Sequence, residues 1–228
     1  MSNEQKKYPS DQEAKNLILE VGRRMYEKNY VVSNDGNITC KVSDYEVWAT
    51  PTGVSKGFMK EEMLSKMDLD GNVIEGTYKI SSEVKMHLRI YKENEDIRAV
   101  VHAHPLVATS FSIAGIPLDS RTLAEGVVQL GVVPCTPFAM PGSNDVPDFV
   151  APYCKEYNAV LLGNHGAVTW GDDLMQAYYR MESLEYFANI LLNTRYIIGK
   201  ANEFTDEQVD GLIAIRQSLG IKRGGRPS

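Results

Sequence analysis

Two short and wholly apolar segments limit the folds open to this chain more than any other feature. Residues 99–101 and 159–162 each consist of apolar residues and stop at a polar cluster that contains histidine. A segment this short and apolar is typical of a buried strand, because a strand with one wet face alternates apolar and polar residues. Helical and strand patterns are interspersed elsewhere without regular βαβ alternation. We therefore predict an α/β fold in which helices cover a mixed sheet.

Helical periodicity predicts the elements that cover this sheet. The first helix starts at a capping box formed by Ser10 and Glu13 and runs to about residue 29. Turn residues divide 31–52 into short strands, and 70–72 form a further turn. Other helices are predicted at residues 58–67, 82–92, 106–114, 125–130, 146–157 and 174–198. The last of these is apolar on more than one face, which indicates either a central core helix or a subunit contact.

Length and charge exclude several classes of protein. The chain has 228 residues, which predicts a single domain over 1–228 with a mobile C-terminal tail at about 221–228. Its net charge of −6 lacks the basic footprint of a nucleic-acid-binding protein. Three cysteines without C-x-x-C spacing indicate a reducing compartment. Because no long apolar run or signal peptide is found, we expect a cytoplasmic protein with neither nucleic acid nor membrane as partner.

Three of the four histidines follow the two apolar segments. His102 and His104 are two residues apart, so the period of a strand places both imidazoles on one face. His165 lies in a small-residue turn after the second segment. Three neutral imidazoles with an open position make a catalytic site for zinc or another divalent metal. Taken singly, the pair also fits a solvated strand end, and His165 also fits an ordinary turn.

Glu83 and His87 lie in one predicted helix, four residues apart and on the same face. The helix dipole alone favours a carboxylate in the first turn, as at Glu83. The functional alternative makes Glu83 a displaceable fourth metal ligand or an acid/base group beside the metal. For His87 we favour a packed or hydrogen-bonded role over ligation.

Three short polar pairs are suited to bind a phosphate. Gly36-Asn37, Thr52-Gly53 and Ser81-Ser82 each offer unobstructed backbone N–H groups, hydroxyl or amide donors, or a helix start. Each pair alone is an ordinary turn or cap. Lys56 is close enough in sequence to add positive charge, although a solvated lysine is the simpler expectation.

Taken in order, these segments resemble the class II aldolase/adducin family over about residues 10–200. The motifs that carry the resemblance are Gly36-Asn37-Ile38-Thr39, Thr50-Pro51-Thr52-Gly53, Ser81-Ser82-Glu83, Val100-Val101-His102-Ala103-His104-Pro105 and Asn164-His165-Gly166. Within the family the chain looks most like the L-fuculose-phosphate aldolases, whose pattern residues 134–139 also match. The resemblance implies a three-layer α/β/α fold with a largely antiparallel central sheet. It also implies a homotetramer with active sites between neighbouring subunits.

The resemblance further implies a role for each site residue. His102, His104 and His165 would be the zinc ligands, with Glu83 as the fourth ligand and the catalytic acid/base. The substrate phosphate would be held by a set of small and polar residues. These are Gly36, Asn37, Thr52, Gly53, Ser81 and Ser82.

The function implied is that of a zinc-dependent aldolase, which reversibly cleaves a (deoxy)ketose 1-phosphate such as L-fuculose 1-phosphate into dihydroxyacetone phosphate and an aldehyde. The alternatives are a ribulose-5-phosphate 4-epimerase or a decarboxylase of the same family, and a non-catalytic scaffold like adducin. One departure concerns the aldehyde end. The family's tyrosine from a neighbouring subunit has no counterpart in residues 121–125 or after Gly220. Glu125 is a candidate for its role, and a plain helix-surface carboxylate is the alternative.

Overall fold

The computed structural model describes residues 8–228, and its strands form one sheet. The strands are β1 (Asn37–Lys41), β2 (Glu46–Ala49), β3 (Ser65–Asp68), β4 (Val73–Glu75), β5 (Ala99–Ala103), β6 (Cys135–Phe138), β7 (Ala159–Gly163) and β8 (Gly166–Gly171). Their order across the sheet is β4-β3-β2-β1-β5-β8-β7-β6. Within this part of the chain, β6 and β7 run parallel and the other neighbours run antiparallel.

Helices pack on both faces of this sheet. They are α1 (Asp11–Glu27), α2 (Val84–Glu93), α3 (Leu106–Ala114), α4 (Asp145–Val150), α5 (Leu174–Leu191) and α6 (Asp206–Ser218). Side chains of the central strands alternate between two cores: Val101 packs with residues of α1, α3 and α5, and Val100 with residues of α2 and α4. The predicted three-layer fold with a largely antiparallel sheet is therefore confirmed. The apolar strands are covered on both faces, as their sequence indicated.

The local signals located several elements well. Ser10 and Glu13 form the expected capping box of α1, and α3 spans the predicted residues. The turn at residues 70–72 joins β3 to β4. The last long helix is α5, which continues as a π-helical segment, Leu192–Ile198. A second π-helical segment, Gly126–Leu130, occupies the helix predicted at 125–130.

Other predicted elements are wrong or shorter than expected. Residues 58–67 do not form a helix: a 3₁₀ turn, Glu61–Met63, leads into β3, where Ser65 and Met67 point inward with strand periodicity. The helix expected over 146–157 ends as α4 at Val150, because Pro152 has no backbone N–H to continue the ladder. Neither Ser81 nor Ser82 caps α2, since Glu83 occupies the N-cap position. The sequence patterns used for prediction did not indicate α6.

The C-terminal segment is docked on the domain. The Gly224 N–H donates to the Glu156 carbonyl at 2.7 Å, and the Gly224 carbonyl accepts from the Val132 N–H at 2.7 Å. Arg223 is buried and its carbonyl accepts a hydrogen bond from the Asn158 side chain. The mobility expected for residues 221–228 stays a prediction, but these contacts give the segment a defined place. None of the helices among residues 8–228 has the length and apolar character needed to cross a bilayer.

Candidate active site

The structure brings the three histidines of the two apolar segments together at one end of the sheet. Strand β5 carries His102 and is followed by His104, and the turn between β7 and β8 carries His165. Antiparallel pairing of Ala103 with Ala167 sets that turn beside the end of β5. The three ring centroids are 4.8 to 4.9 Å apart. Each ring offers one nitrogen to a group whose atoms lie within 4.8 Å of one another.

The backbone conformation of the β7–β8 turn positions His165 beside the other two histidines. Asn164 adopts a left-handed conformation with φ of 56°, a region that asparagine tolerates better than most residues. Gly166 must remain without a side chain, since a Cβ there would lie 2.6 Å from both the Ala103 carbonyl oxygen and the His104 ring. The absence of a side chain at Gly166 therefore allows the start of β8 to approach the end of β5.

Hydrogen bonds on the far side of two rings fix which nitrogens face inward. His102 Nδ1 lies 2.9 Å from the Ala167 carbonyl oxygen, and His104 Nδ1 lies 3.4 Å from an Asp35 carboxylate oxygen. Because both oxygens only accept, each Nδ1 carries the proton and each Nε2 keeps a free lone pair. Those two Nε2 atoms face each other at 3.1 Å. Burial lowers the pKa of both imidazoles, so they stay neutral.

This donor set fits a divalent metal. Two facing lone pairs repel unless a cation lies between them, and an edge of about 3.3 Å is expected between ligands of a tetrahedral zinc with 2.0–2.1 Å bonds. The outer hydrogen bonds of His102 and His104 are of the kind that orient metal-bound imidazoles. A role for the three histidines as metal ligands stays a prediction that this geometry supports.

Glu83 stands beside the histidines at the start of α2. One of its carboxylate oxygens lies 3.0 Å from His165 Nε2. The other lies 3.5 Å from His102 Nε2 and accepts a 2.9 Å hydrogen bond from Asn37 Nδ2. Burial by itself raises the pKa of Glu83, but the two imidazoles and the Asn37 amide outweigh it and hold that pKa well below its usual range. The carboxylate is therefore ionised and placed to act on whatever occupies the site.

A cleft of about 260 Å³ opens next to Glu83 and the histidines. Of the residues predicted to bind phosphate, Gly36, Thr52, Ser81 and Ser82 line it. Asn37 lies behind the wall with its amide on Glu83. Gly53 is not part of the lining, although its φ of +73° shapes the turn that presents Thr52. Gly36, with φ of +75°, also has no room for a Cβ beside the His102 carbonyl.

Two residues of the cleft were missed or misjudged from sequence. Lys56 is 1% exposed, so the expectation of a solvated lysine is wrong. Its Nζ donates to the Asn34 carbonyl at 3.0 Å and to the Val54 carbonyl at 2.7 Å, and burial lowers its pKa to about 8. Asp35, which orients His104, had no role in the sequence reading. Neither position carries a local signal, since both depend on contacts with distant segments.

Glu125 is not brought to this site within the chain. It is exposed at the start of the π-helical segment Gly126–Leu130 and is absent from the cleft lining among the described residues. Its suggested role at the aldehyde end therefore stays a prediction that depends on a neighbouring subunit.

Comparisons with known proteins agree with this geometry. The profile of a family described as Class II Aldolase and Adducin N-terminal domain matches residues 16–192. The chain is 36% identical over 178 residues to a Methanocaldococcus jannaschii protein named L-fuculose phosphate aldolase, covering 78% of this chain and 95% of that one. It is 33% identical over 208 residues to a Haemophilus influenzae protein named 3-oxo-tetronate 4-phosphate decarboxylase, covering 89% and 97% of the two chains.

Solved structures share the fold over most of the chain. An L-fuculose 1-phosphate aldolase matches with a TM-score of 0.83 at 27% identity, covering 92% of this chain and 98% of that chain. YgbL from Klebsiella pneumoniae, described by three alternative activities (aldolase, epimerase and decarboxylase), matches with a TM-score of 0.83 at 29% identity, covering 90% and 99%. The expected enzyme class, a metal-dependent carbon–carbon lyase of the aldolase type, is thereby confirmed. The chain belongs to the class II aldolase and adducin N-terminal domain family.

Proposed function

We propose that this protein is a zinc-dependent aldolase of the cytoplasm that reversibly cleaves a (deoxy)ketose 1-phosphate, such as L-fuculose 1-phosphate, into dihydroxyacetone phosphate and an aldehyde. One observation carries the proposal. His104, His165 and the ionised Glu83 border the same cleft as the hydroxyls of Thr52, Ser81 and Ser82. Behind them the Nε2 atoms of His102 and His104 face each other at 3.1 Å. These contacts support a metal centre and an anion-binding wall on either side of one carboxylate.

Glu83 is the group that moves a proton in this mechanism. In the condensation direction the ionised carboxylate accepts the proton that leaves C3 of dihydroxyacetone phosphate, the carbon next to the carbonyl. The electron pair left on C3 forms the new bond to the aldehyde carbon, and the aldehyde oxygen gains a proton as it becomes a hydroxyl. Cleavage reverses these steps, so Glu83 returns the proton to C3. Glu125 of a neighbouring subunit is our candidate for the proton at the aldehyde oxygen.

The remaining residues orient the substrate and spread its charge. A divalent metal held by His102, His104 and His165 would supply the positive charge that stabilises the oxygens where negative charge develops as the C3–C4 bond breaks. The donors of Gly36, Thr52, Ser81 and Ser82 would hold the phosphate at the other end of the cleft. Asn37 keeps the Glu83 carboxylate in place through its 2.9 Å hydrogen bond. Binding at the remote phosphate fixes the reacting carbon near Glu83.

We further propose a homotetramer with active sites between subunits. The support is a set of large apolar side chains that stay exposed in the single chain. They include Leu106, Ile113, Phe138, Met140, Ile197 and Ile198. Exposed apolar side chains in such number favour burial against further copies. Light scattering of the purified protein tests this, and a monomer at micromolar concentration would contradict it.

A decarboxylase is the second candidate function. The observation that favours it is the Haemophilus influenzae relative named 3-oxo-tetronate 4-phosphate decarboxylase, which matches 89% of this chain. Loss of CO₂ from a 3-oxo acid leaves an electron pair on the carbon next to the carbonyl, as aldol cleavage does. The same three histidines and carboxylate serve both reactions. A ribulose-5-phosphate 4-epimerase shares this chemistry but has no such relative to support it here.

The deciding experiment measures the two products in parallel. The zinc-loaded protein is given several ketose 1-phosphates with an enzyme that reduces released dihydroxyacetone phosphate, and separately a 3-oxo-tetronate 4-phosphate with CO₂ detection. We expect turnover in the first assay. Activity confined to the second assay would replace the aldolase by the decarboxylase. No turnover in either, together with less than about a tenth of a divalent ion per chain in protein purified without chelator and before zinc loading, would leave the scaffold alternative.

A further inference from the structure

Lys56 occupies a buried position in the wall of the cleft. Its backbone lies against α1, where a Cβ at Gly22 would come within 2.7 Å of the Lys56 carbonyl oxygen. Its side chain runs from there into the interior, so that 1% of the residue is exposed while the cleft still reaches it. Burying a lysine to this degree costs desolvation free energy unless its ammonium group is hydrogen-bonded or paired with an opposite charge.

The ammonium group joins the two loops that carry the predicted phosphate donors. Two of its three N–H groups reach the carbonyls of Asn34 and Val54, at 3.0 and 2.7 Å. Asn34 belongs to the loop that ends in Gly36-Asn37, and Val54 follows Thr52-Gly53. Among residues 8–228 the third N–H makes no hydrogen bond, and Lys56 borders the cleft. Lys56 therefore holds both loops and keeps one charged donor for a ligand.

The charges of the cleft call for such a group. Among the described residues that line it, Asp35 and Glu83 are acidic and Lys56 is the one lysine or arginine. The imidazoles of His104 and His165 also line the cleft and belong to the predicted metal centre. A phosphate dianion entering this space meets two carboxylates, so neutral hydroxyls and amides alone would bind it weakly. Charge-assisted hydrogen bonds are roughly twice as strong as neutral ones.

We propose that Lys56 is the cationic group of the phosphate subsite, which contacts the substrate phosphate and at the same time positions the two donor loops. This inference rests on the proposed function only for the nature of the ligand, a sugar phosphate. It assigns to Lys56 the discrimination between phosphorylated and unphosphorylated substrates. The His102–His104–His165 centre and Glu83 are left with the chemistry at the other end.

The test compares pairs of ligands that differ only in the phosphate. Calorimetry measures the dissociation constants of phosphoglycolohydroxamate, glycolohydroxamate and inorganic phosphate for the zinc-loaded wild type and for Lys56→Met. We expect 10- to 100-fold weaker binding of phosphoglycolohydroxamate and inorganic phosphate to the variant, the size of one lost charged hydrogen bond. Binding of glycolohydroxamate should change less than about threefold. Loss of loop structure alone would weaken all hydroxamates together.

Three further variants complete the experiment. Lys60→Met removes an exposed lysine four residues away and should bind all ligands like the wild type. Lys56→Arg keeps the charge and should recover part of the phosphate affinity, whereas Lys56→Gln should not. The Arg and Gln pair decides the matter if Lys56→Met fails to fold. Unchanged phosphate affinity in Lys56→Met or Lys56→Gln, or equal loss in Lys56→Arg and Lys56→Gln, overturns the proposal.

Failure of this inference and failure of the proposed reaction give different results. Binding of inorganic phosphate requires no turnover, so Lys56 is tested even if no ketose 1-phosphate is cleaved. Conversely, full aldolase activity with unaltered phosphate affinity in Lys56→Gln would contradict the role of Lys56 in phosphate binding. The proposed aldolase function would be unaffected by that result.

Discussion

Single side chains around the predicted metal site are held in place by neighbouring polar groups. The Ala167 carbonyl and the Asp35 carboxylate orient two imidazoles, and Asn37 holds Glu83. A further buried group lies below them, where Thr39 Oγ1 is within 2.9 Å of His87 Nδ1 and 2.7 Å of the Tyr91 hydroxyl. His87 thus has the hydrogen-bonded, packed role that its sequence position favoured. The polar groups that would do chemistry are thus held in place by a second set of polar groups.

The first prediction at this scale concerns the proton that Glu83 moves. Glu83→Gln keeps the shape and the hydrogen bond from Asn37 but cannot accept a proton. We expect the variant to retain bound metal, measured by elemental analysis, and to lose roughly 10²- to 10⁴-fold in turnover rate. Lys85→Gln changes an exposed residue of α2 two positions further along the chain and serves as the control. A Glu83→Gln variant as fast as the wild type would remove Glu83 from the mechanism.

The second prediction concerns stability in acid. Burial lowers the pKa of His87 to about 3, against about 6.5 in an unfolded chain. Between pH 6.5 and pH 3, His87 is therefore protonated in the unfolded state and neutral in the folded state. Because the unfolded state binds the extra proton, the free energy of unfolding falls as pH falls through this range. At pH 5 this amounts to about 2 kcal/mol.

Urea unfolding at pH 7 and pH 5 measures this effect. His87→Gln should lose about 2 kcal/mol less free energy of unfolding than the wild type between the two pH values. Tyr91→Phe, which breaks the same hydrogen-bonded group without removing a histidine, should keep the wild-type difference. Equal losses in His87→Gln and the wild type would show that His87 is protonated in the folded state at pH 5.

Among the elements, α1 is fixed to the cleft wall through glycine. A Cβ at Gly22 would meet the Lys56 carbonyl oxygen at 2.7 Å, and a Cβ at Gly57 would meet the Tyr26 ring at 2.4 Å. The helix therefore lies as close to residues 56–57 as backbone contact allows. By contrast, Gly211 in the exposed part of α6 has no atom within 4 Å of its Cβ position.

These two helical glycines give opposite predictions for the same substitution. Gly22→Ala should lower the free energy of unfolding by about 1–3 kcal/mol, because overpacking against backbone outweighs the gain in helix propensity. Gly211→Ala should raise it by about 0.5–1 kcal/mol through propensity alone. Chemical denaturation of the two variants and the wild type measures both values. Stabilisation by Gly22→Ala would mean that α1 and Lys56 are not in contact.

The sequence predicts those elements whose structure is determined by residues close together in the chain. The capping box of α1, the apolar strands β5 and β7 and the turn that carries His165 are determined by neighbouring residues, and these were placed well. The prediction for residues 58–67 is wrong because the buried Leu64 and Met67 are spaced as in a helix, although Met67 pairs with β2 in a strand and Leu64 lies just before that strand. The burial of Lys56 depends on α1 and two loops, so no local pattern shows it.

For the whole molecule, the C-terminal segment closes the end of the sheet opposite the histidines. Its backbone hydrogen bonds to Glu156 and Val132 and its buried Arg223 attach it beside the β7 and β8 strands. Arg223 also pairs with Asp172 at 3.0 Å. The segment thus behaves as part of the domain in this structure, where the sequence alone indicated a tail.

Deleting residues 221–228 tests whether this docking contributes to stability. The deletion removes, among others, the three hydrogen bonds that join Arg223 and Gly224 to Val132, Glu156 and Asn158. At about 1 kcal/mol each, partly offset by chain entropy, their loss should lower the free energy of unfolding by about 2 kcal/mol. Lys222→Ala removes only the exposed ion pair of Lys222 with Asp96 and should stay within about 0.5 kcal/mol of the wild type. A truncated protein as stable as the full chain would support the mobile tail.

The histidine centre also bears on how the chain folds. His102 and His165 are 63 residues apart in sequence and come together once β5 and β8 have paired, and Glu83 lies 82 residues before His165. Contacts between such distant segments form late, since loop closure is unfavourable until the core has assembled. The ability to capture a divalent ion should therefore emerge in the final stage of refolding. Co²⁺, whose absorption changes on coordination, would then bind only to molecules that have reached the native fold.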